Sequence, residues 1–240
     1  MLRPRSIFSK MKYFTLLLVS FSLIFGSETF AQKVSQEGGM VVSADSIATE
    51  VGISILRSGG NAIDAAVGVG FALAVTYPVA GNIGGGGFMV IRLEKGDEIT
   101  LDYREKAPAM ATRDMYLDSS GNFIESLAQD GILAGGVPGS VSGMLTALDK
   151  FGTMKREQVI GPALKLAKEG FYLSIPTANS FKKYNKSFNR YPSTAKIFTK
   201  NGEPLEENEL FIQTDLARSL ELIIKEGTKG FYSGETAEKI

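Results

Sequence analysis

The sequence predicts an α+β domain in which short strands and helices follow one another along the chain. Three observations predict it: segments with apolar residues at helical spacing, one pair of strand-like segments joined by a Lys-Gly-Asp turn, and enough hydrophobic residues for a core. The 240 residues are 44% hydrophobic and 22% charged, which is typical of a globular protein. This mixture favours an α+β or layered α/β domain over a helical bundle or a β-sandwich.

The first predicted elements are a strand and a helix. Residues 38–43 (GGMVVS) predict a short strand. Asp45 stands where an N-cap belongs, and apolar residues then recur at helical spacing until Gly59 and Gly60 end the helix. The sequence therefore predicts that an amphipathic helix follows directly on the strand.

A second helix is predicted over residues 62–75, with Asn61 as its N-cap. It consists mostly of Ala, Gly and Val, and Asp64 is its only charged residue. Small side chains let a helix approach its neighbours closely, so we expect this one to lie in the core. Pro78 ends the pattern.

A glycine-rich segment and a hairpin come next. Residues 81–87 (GNIGGGG) precede a predicted strand at 88–93, and a second strand is predicted at 98–103. The glycines do not fit a P-loop, because Phe-Met follows them instead of Lys-Ser/Thr, and they do not open a helix as a dinucleotide motif does. We therefore expect a tight turn, or a backbone that another segment approaches closely.

The second half of the chain predicts helices separated by loops. Residues 105–136 are rich in Ala, Asp, Ser and Gly and predict a loop. Pro138 and Gly139 open a helix that runs to about Lys150. Further helices are predicted from Pro162 to Gly170, from an N-cap at Thr214 to about Lys225, and from residue 235 onward.

The residue types that are missing exclude several kinds of chemistry. The chain has no His, Cys or Trp, so it has no disulfide, no thiolate nucleophile, no Ser-His dyad and no imidazole or Cys-ligated metal site. Any catalysis must use carboxylates, Lys, Tyr, or a Ser or Thr that is activated without imidazole. A nucleophile elbow is not present either, since the central residue of Gly-Ser-Val-Ser-Gly at 139–143 is Val.

Residues 1–31 predict a cleavable signal peptide. A basic segment precedes a charge-free apolar run at residues 13–26, and Thr-Phe-Ala at 29–31 offers small residues to a signal peptidase. A membrane anchor is the alternative, but the run is shorter than the ~20 residues of a spanning helix. We expect a periplasmic or secreted protein. Removal of four basic residues and one acidic residue leaves 22 basic and 25 acidic residues over 32–240, a net charge of −3.

Residues 176–201 combine basic and aromatic side chains. Such a stretch can bind single-stranded nucleic acid, or it can be a surface helix and loop whose aromatic rings pack inward. The second interpretation is favoured, because the rest of the exported chain lacks the basic footprint of a nucleic-acid-binding protein. We expect no nucleic-acid partner.

Arg104, directly after the second hairpin strand, is the candidate binding residue. Its planar guanidinium could bind a substrate carboxylate in bidentate fashion. Alternatively, it could form a structural ion pair with Asp102, Glu105 or another loop. Spacing alone favours the ion pair, because Arg–carboxylate pairs are common.

Several blocks of the sequence, in order, resemble the gamma-glutamyltransferases (gamma-glutamyl transpeptidases, or glutathione hydrolases). No single block is specific, but together they span residues 38–240. The blocks are residues 39–42 (GMVV), 59–66 (GGNAIDAA), 81–88 (GNIGGGGF), 102–108 (DYREKAP), 136–139 (GVPG), 151–154 (FGTM), 162–171 and 230–234 (GFYSG).

The resemblance implies an N-terminal-nucleophile hydrolase fold, a layered αββα sandwich that would be incomplete in this chain. It implies a precursor that cleaves itself into a large and a small chain and exposes a Thr whose own α-amine acts as the base. That mechanism needs no imidazole. Residues 32–240 would be the N-terminal part of the large chain, and the nucleophile would lie beyond Ile240, so that these residues alone are expected to be inactive.

The resemblance also implies the substrates and partners. The enzyme would transfer a γ-glutamyl group from glutathione or another γ-glutamyl compound to water, an amino acid or a peptide, through an acyl-threonine intermediate, without a cofactor. Arg104 would bind the substrate α-carboxylate, and the missing small chain would be the protein partner. The alternative is a secreted non-catalytic binding protein or a cell-envelope transpeptidase on the same scaffold.

Overall fold

The computed structural model describes residues 38–240. The predicted signal peptide at residues 1–31 lies outside the described residues. Among residues 38–240, no helix has both the length and the apolar character needed to cross a membrane.

The described residues form ten α-helices, one short 3-10 helix and six strands. The helices are α1 (Ser46–Arg57), α2 (Ala62–Thr76), α3 (Glu125–Gln129), α4 (Ser140–Phe151), α5 (Arg156–Glu169), α6 (Ile175–Phe188), α7 (Pro192–Phe198), α8 (Thr214–Glu226), α9 (Lys229–Tyr232) and α10 (Gly234–Lys239), and the 3-10 helix is Ile132–Ala134. The strands are β1 (Phe88–Arg92), β2 (Glu98–Asp102), β3 (Phe171–Tyr172), β4 (Thr199–Lys200), β5 (Glu203–Pro204) and β6 (Leu210–Phe211). The predicted α+β class is confirmed.

The predicted strand at residues 38–43 is wrong. The segment forms no strand, because no strand among the described residues pairs with it. It lies instead against α1, where Gly39 is next to Leu56 and Val41 is next to Gly52. The predicted cap of α1 is confirmed.

Helix α2 is the centre of the core. Its residues are buried along almost the whole length, and it packs against α1, α4 and α5. Small residues make this possible: a Cβ at Gly68 would overlap the Ile55 side chain and lie 3.2 Å from the carbonyl oxygen of Val159. The prediction of a tightly packed core helix is confirmed.

The single charge of α2 fixes its N-terminus. Asp64 is fully buried, and its carboxylate accepts hydrogen bonds from the backbone N–H of Asn61 (2.8 Å), from the backbone N–H groups of Thr153 and Met154, and from the Thr153 hydroxyl (2.7 Å). Asn61 caps the helix, as predicted. These bonds tie the start of α2 to the connection between α4 and α5.

The predicted hairpin is confirmed. Strands β1 and β2 pair in antiparallel register, and Phe88 lies opposite Asp102. The inner face packs on the core through Met89, Ile91, Ile99 and Leu101, whereas Phe88 and Val90 of the outer face are exposed.

The helix predicted to start at Pro162 in fact begins six residues earlier, at Arg156. Pro162 therefore lies inside α5. The rule that places Pro at a helix start missed the capping interaction in which the backbone N–H of Lys155 donates to the Gln158 side chain (3.1 Å). Similarly, Thr214 is the first residue of α8 and not its cap; the cap position belongs to Gln213.

The basic-aromatic stretch forms α6 and α7, and its phenylalanines pack inward. Phe181 is buried against Phe188, Phe198 and Phe211, with ring centroids 5.3 to 5.9 Å apart. Tyr184 stays partly exposed. The prediction of a surface helix with inward-facing aromatic rings is confirmed for the phenylalanines.

Candidate functional site

A cleft of about 360 Å³ lies where β2 ends and α4 begins. Three separate parts of the chain form it: the end of β2 with the residues after it, the start of α4, and the short helix α9. The lining residues are Leu101, Asp102, Tyr103, Arg104, Lys106, Val137, Pro138, Gly139, Ser142, Gly143, Thr146 and Tyr232. The sequence-predicted residue Arg104 is therefore part of a concave site.

Arg104 is not held in a strong ion pair. Its Nε lies 3.6 Å from Oε2 of Glu105, and the Arg104 side chain is 66% exposed. Asp102 does not bind the guanidinium; its Oδ1 accepts the backbone N–H of Arg104 at 3.0 Å. The guanidinium carbon lies 5.9 Å from the centre of the Phe88 ring. The planar fork of Arg104 thus remains accessible to a ligand.

The backbone that carries Arg104 is fixed by the glycine-rich segment. Tyr103 and Gly87 exchange two backbone hydrogen bonds, of 3.0 and 3.3 Å. A Cβ at Gly86 would lie 2.6 Å from the Tyr103 carbonyl oxygen and 2.8 Å from the Cα of Arg104. The predicted close approach of another segment to these glycines is confirmed, and the approaching segment is the one that carries the candidate binding residue.

The start of α4 crosses the same segment. The backbone N–H groups of Gly139 and Ser140 both donate to the carbonyl oxygen of Gly85, at 2.8 and 3.0 Å. A Cβ at Gly139 would overlap the carbonyl oxygen of Tyr103. Any larger residue at position 139 would push α4 away from Arg104.

The Tyr103 ring fills the space between the hairpin and α4. Cβ atoms at Gly87 and Gly143 would both contact or overlap this side chain, so Gly87 makes room at its hydroxyl end and Gly143 at its Cβ end. The Tyr103 hydroxyl donates to the carbonyl oxygen of Phe88 at 3.3 Å. Burial raises the pKa of Tyr103 above its ordinary value of 10.0, so the phenol stays neutral at physiological pH.

Tyr232 closes the cleft from the side of α9. Its hydroxyl donates to the carbonyl oxygen of Pro138 at 2.9 Å and accepts the backbone N–H of Ser142 at 3.1 Å. Burial raises the pKa of Tyr232, although the bond from Ser142 opposes that rise. Residue patterns alone did not single out this tyrosine, because the contact spans more than ninety positions; only the GFYSG block drew attention to it.

Lys106 is a second cation in the same cleft. Its backbone is fixed by a two-way bridge to Val137: the N–H of Lys106 donates at 3.1 Å and its carbonyl oxygen accepts at 2.8 Å. Sequence reasoning did not assign Lys106 a role. Within residues 38–240, no group of three or more His, Cys, Asp or Glu residues is arranged to hold a metal ion.

Solved structures share this architecture. The chain superposes on gamma-glutamyltranspeptidase from Helicobacter pylori with a TM-score of 0.83 and 49% identity, covering 85% of this chain and 59% of that one. It superposes on a transpeptidase enzyme from Bacillus anthracis with a TM-score of 0.71 and 34% identity, again covering 85% of this chain and 64% of that one. The fold is therefore that of the N-terminal-nucleophile hydrolases.

The chain belongs to the gamma-glutamyltranspeptidase family, which it matches over residues 48–240. It is 52% identical over 208 residues to the glutathione hydrolase proenzyme of Pseudomonas sp. strain A14, and 49% identical over 208 residues to that of Escherichia coli strain K12. These matches cover 86% of this chain and 36% of each relative. The chain thus spans about a third of the length of the curated relatives it matches.

Proposed function

We propose that the protein is part of an enzyme that transfers a γ-glutamyl group from glutathione, or from another γ-glutamyl compound, to water, an amino acid or a peptide. Membership of the gamma-glutamyltranspeptidase family and the similarity to glutathione hydrolase proenzymes support this activity. The observation that carries the proposal is Arg104, because its guanidinium lies in a cleft and the Glu105 carboxylate approaches it only to 3.6 Å.

The role of Arg104 is to bind the α-carboxylate of the γ-glutamyl group. A guanidinium presents parallel N–H groups that match the two oxygens of a carboxylate. Gly87 and Gly139 hold the backbone at Arg104 from two sides. The anchored backbone limits where the guanidinium can hold the ligand. Fixing the α-carboxylate at Arg104 would limit how far the γ-carbonyl can lie from the Arg104 guanidinium.

The proposed reaction passes through an acyl-threonine intermediate. The hydroxyl of an N-terminal Thr attacks the γ-carbonyl carbon, the C–N bond to the leaving amine breaks, and the amine departs with a proton delivered by the α-amino group of that Thr. Water or an acceptor amine then attacks the ester and restores the free Thr. The absence of His and Cys from the chain is compatible with this chemistry, because the α-amine replaces imidazole as the base.

The nucleophile and the small chain belong, in this proposal, to the part of the relatives that the chain does not match. The relatives' name, proenzyme, fits a precursor that is cut into two chains. Residues 32–240 supply the carboxylate-binding side of the site and are inactive alone. Residues 1–31 act as a cleavable signal peptide that directs the protein to the periplasm or the exterior.

A cell-envelope transpeptidase is the second candidate function. The similarity to the Bacillus anthracis transpeptidase, at 34% identity, favours it. Both functions use a γ-glutamyl or peptide acyl group and differ in the acceptor. A secreted, non-catalytic binding protein is the remaining alternative from a different class.

The test is to purify the full-length gene product from the periplasm or medium and to incubate it with glutathione, with and without glycylglycine. We expect release of glutamate and cysteinylglycine, formation of γ-glutamyl-glycylglycine, and an N-terminus near residue 32. Mass spectrometry should show two chains and a covalent γ-glutamyl adduct on the new N-terminal Thr. A gene product that transfers no γ-glutamyl group to any acceptor would overturn the proposal.

A further inference from the structure

We propose that Lys106 makes the cleft selective for γ-glutamyl compounds whose leaving group carries a negative charge of its own, such as a peptide carboxylate. This inference rests on the proposed function and deepens it, because it names a substrate class that Arg104 alone does not select. It starts from the position of Lys106 in the cleft that Arg104 also lines.

The two cations are close neighbours with fixed backbones. Arg104 and Lys106 are separated by one residue, so their Cα atoms are at most about 7 Å apart. The bridge to Val137 holds the Lys106 backbone, and the crossing of Gly139 over Tyr103 holds the backbone next to Arg104. A ligand bound at Arg104 is therefore within the range of the flexible Lys106 side chain.

Within residues 38–240, Lys106 has no partner that would neutralise it. Among residues 38–240, no carboxylate oxygen lies within 4.0 Å of its ammonium group, and the side chain is exposed. The adjacent Glu105 is the residue that approaches Arg104, and Asp102 accepts the Arg104 backbone N–H. Neither of these two carboxylates lies within 4.0 Å of the Lys106 ammonium group.

The charges around the cleft leave one cation for a second anionic group. Asp102, Arg104 and Lys106 line the cleft, and the Glu105 carboxylate lies 3.6 Å from Arg104. Among residues 38–240, Lys106 is therefore the lining cation with no carboxylate within 4.0 Å. The γ-glutamyl group adds no net charge, because its α-amine and α-carboxylate cancel. A leaving group with a carboxylate offers Lys106 a partner, whereas a neutral leaving group leaves it unpaired.

The test compares glutathione with its glycine ethyl ester, in which an ethyl group caps the second carboxylate and removes its charge. In the full-length gene product we expect a higher kcat/KM for glutathione than for the ester. Lys106→Met should lower this ratio by about twofold to fivefold, the range of an exposed ion pair. Lys106→Arg should retain the ratio, and raising the salt concentration should lower it in the wild type.

The control is Lys95→Met, which removes an exposed lysine from the turn between β1 and β2. Its ratio should match the wild type. Hydrolysis of γ-glutamyl-p-nitroanilide, which has a neutral leaving group, reports on the proposed function separately. If the enzyme hydrolyses the anilide, but the ratio of kcat/KM for glutathione to kcat/KM for the ester is the same in wild type and Lys106→Met, only the role of Lys106 is overturned. Absence of γ-glutamyl transfer with every donor overturns both proposals.

Discussion

The hydroxyl of Tyr232 donates a hydrogen bond to the carbonyl oxygen of Pro138 across 2.9 Å, although the two residues are 94 positions apart. The bond joins α9 to the turn that leads into α4. That turn carries Gly139, whose backbone crosses Tyr103 directly before Arg104. Tyr232 therefore acts on the candidate binding residue through two packed segments and is a positioning residue.

Tyr232→Phe should weaken substrate binding more than it weakens turnover. The ring still packs, but the carbonyl oxygen of Pro138 and the N–H of Ser142 lose a partner, which costs about 1 kcal/mol of folding stability. We expect KM for glutathione to rise severalfold while kcat changes by less than twofold. Steady-state kinetics and thermal denaturation measure the two effects.

Tyr116→Phe is the matched control for that substitution. Its hydroxyl also donates to a backbone carbonyl oxygen, that of Leu133, at 2.8 Å, but Tyr116 is not among the residues that line the cleft. It should leave KM at the wild-type value. If the two variants raised KM equally, or neither did, Tyr232 would have no positioning role.

Asp64 should make the fold sensitive to acid. Burial by itself raises the pKa of Asp64, but the hydrogen bonds from Thr153, Asn61 and Met154 outweigh it and hold the pKa below the ordinary value of 3.8. A carboxyl group with a lowered pKa in the folded state stabilises it above the unfolded pKa, and this stability is lost as the pH falls through the folded pKa. The loss should therefore occur below about pH 4.

Asp64→Asn should reduce the free energy of unfolding by about 2–4 kcal/mol at pH 7, because an amide cannot accept all the hydrogen bonds that the carboxylate accepts. The variant should also lose less stability than the wild type between pH 5 and pH 3. Urea denaturation at each pH measures both. Asp149→Asn, at an exposed position of α4, is the control and should change neither. A parallel pH profile for Asp64→Asn and wild type would contradict this account.

Gly143→Ala should disturb the cleft through the Tyr103 ring. The added methyl group would overlap that ring, and relief of the overlap must displace either the ring or α4. Overpacking of this kind costs about 1–3 kcal/mol. We expect a lower melting temperature and a higher KM for glutathione.

Gly161→Ala is the control for that overlap. It introduces the same methyl group into a helix, at a position where a Cβ meets nothing within 4 Å. Alanine there should stabilise the protein by up to about 1 kcal/mol and leave KM unchanged. Equal behaviour of the two alanine variants would show that the contact with Tyr103 is unimportant.

Residues 32–240 expressed alone should hydrolyse no γ-glutamyl-p-nitroanilide. The proposal places the nucleophile in the part of the relatives that this chain does not match, and the described cleft provides only a carboxylate-binding side. Release of p-nitroaniline above the rate of a buffer control measures this. Hydrolysis by the purified fragment would show that the nucleophile lies within these residues and would overturn that part of the proposal.

Local signals in the sequence were enough to predict the hairpin, the caps of α1 and α2 and the buried character of α2. Asp45 and Asn61 act within three residues of their own positions, so pattern and chemistry coincide. The prediction of a strand at residues 38–43 was wrong because a strand forms only when it pairs with another strand, and one segment of sequence does not show whether such a partner exists. The helix start predicted at Pro162 was wrong because a capping interaction between Lys155 and Gln158 starts α5 earlier.

The candidate site was predictable only in part, because much of it depends on contacts between residues that are far apart in the sequence. The chemistry of Arg104 made it a candidate, but its spacing alone favoured an ion pair, and only the resemblance to the gamma-glutamyltransferases implied the binding role. The roles of Tyr232 and Gly143 depend on contacts between positions that are far apart in the chain, with Pro138 and Tyr103. Lys106 was missed because a lysine in a loop is ordinary until the structure shows which cation shares its cleft.

The most direct test of the central claim is KM for glutathione in Arg104→Gln of the full-length gene product, with Arg113→Gln as the control. Arg113 also has its Nε near the carboxylate of the next residue, at 3.7 Å from Asp114, but its side chain is 95% exposed and lies outside the cleft. Loss of a bidentate, charged hydrogen-bond pair predicts a rise in KM of about tenfold to a hundredfold for Arg104→Gln, a partial recovery for Arg104→Lys, and no change for Arg113→Gln. A KM within twofold of wild type in an Arg104→Gln enzyme that still hydrolyses glutathione would contradict the account.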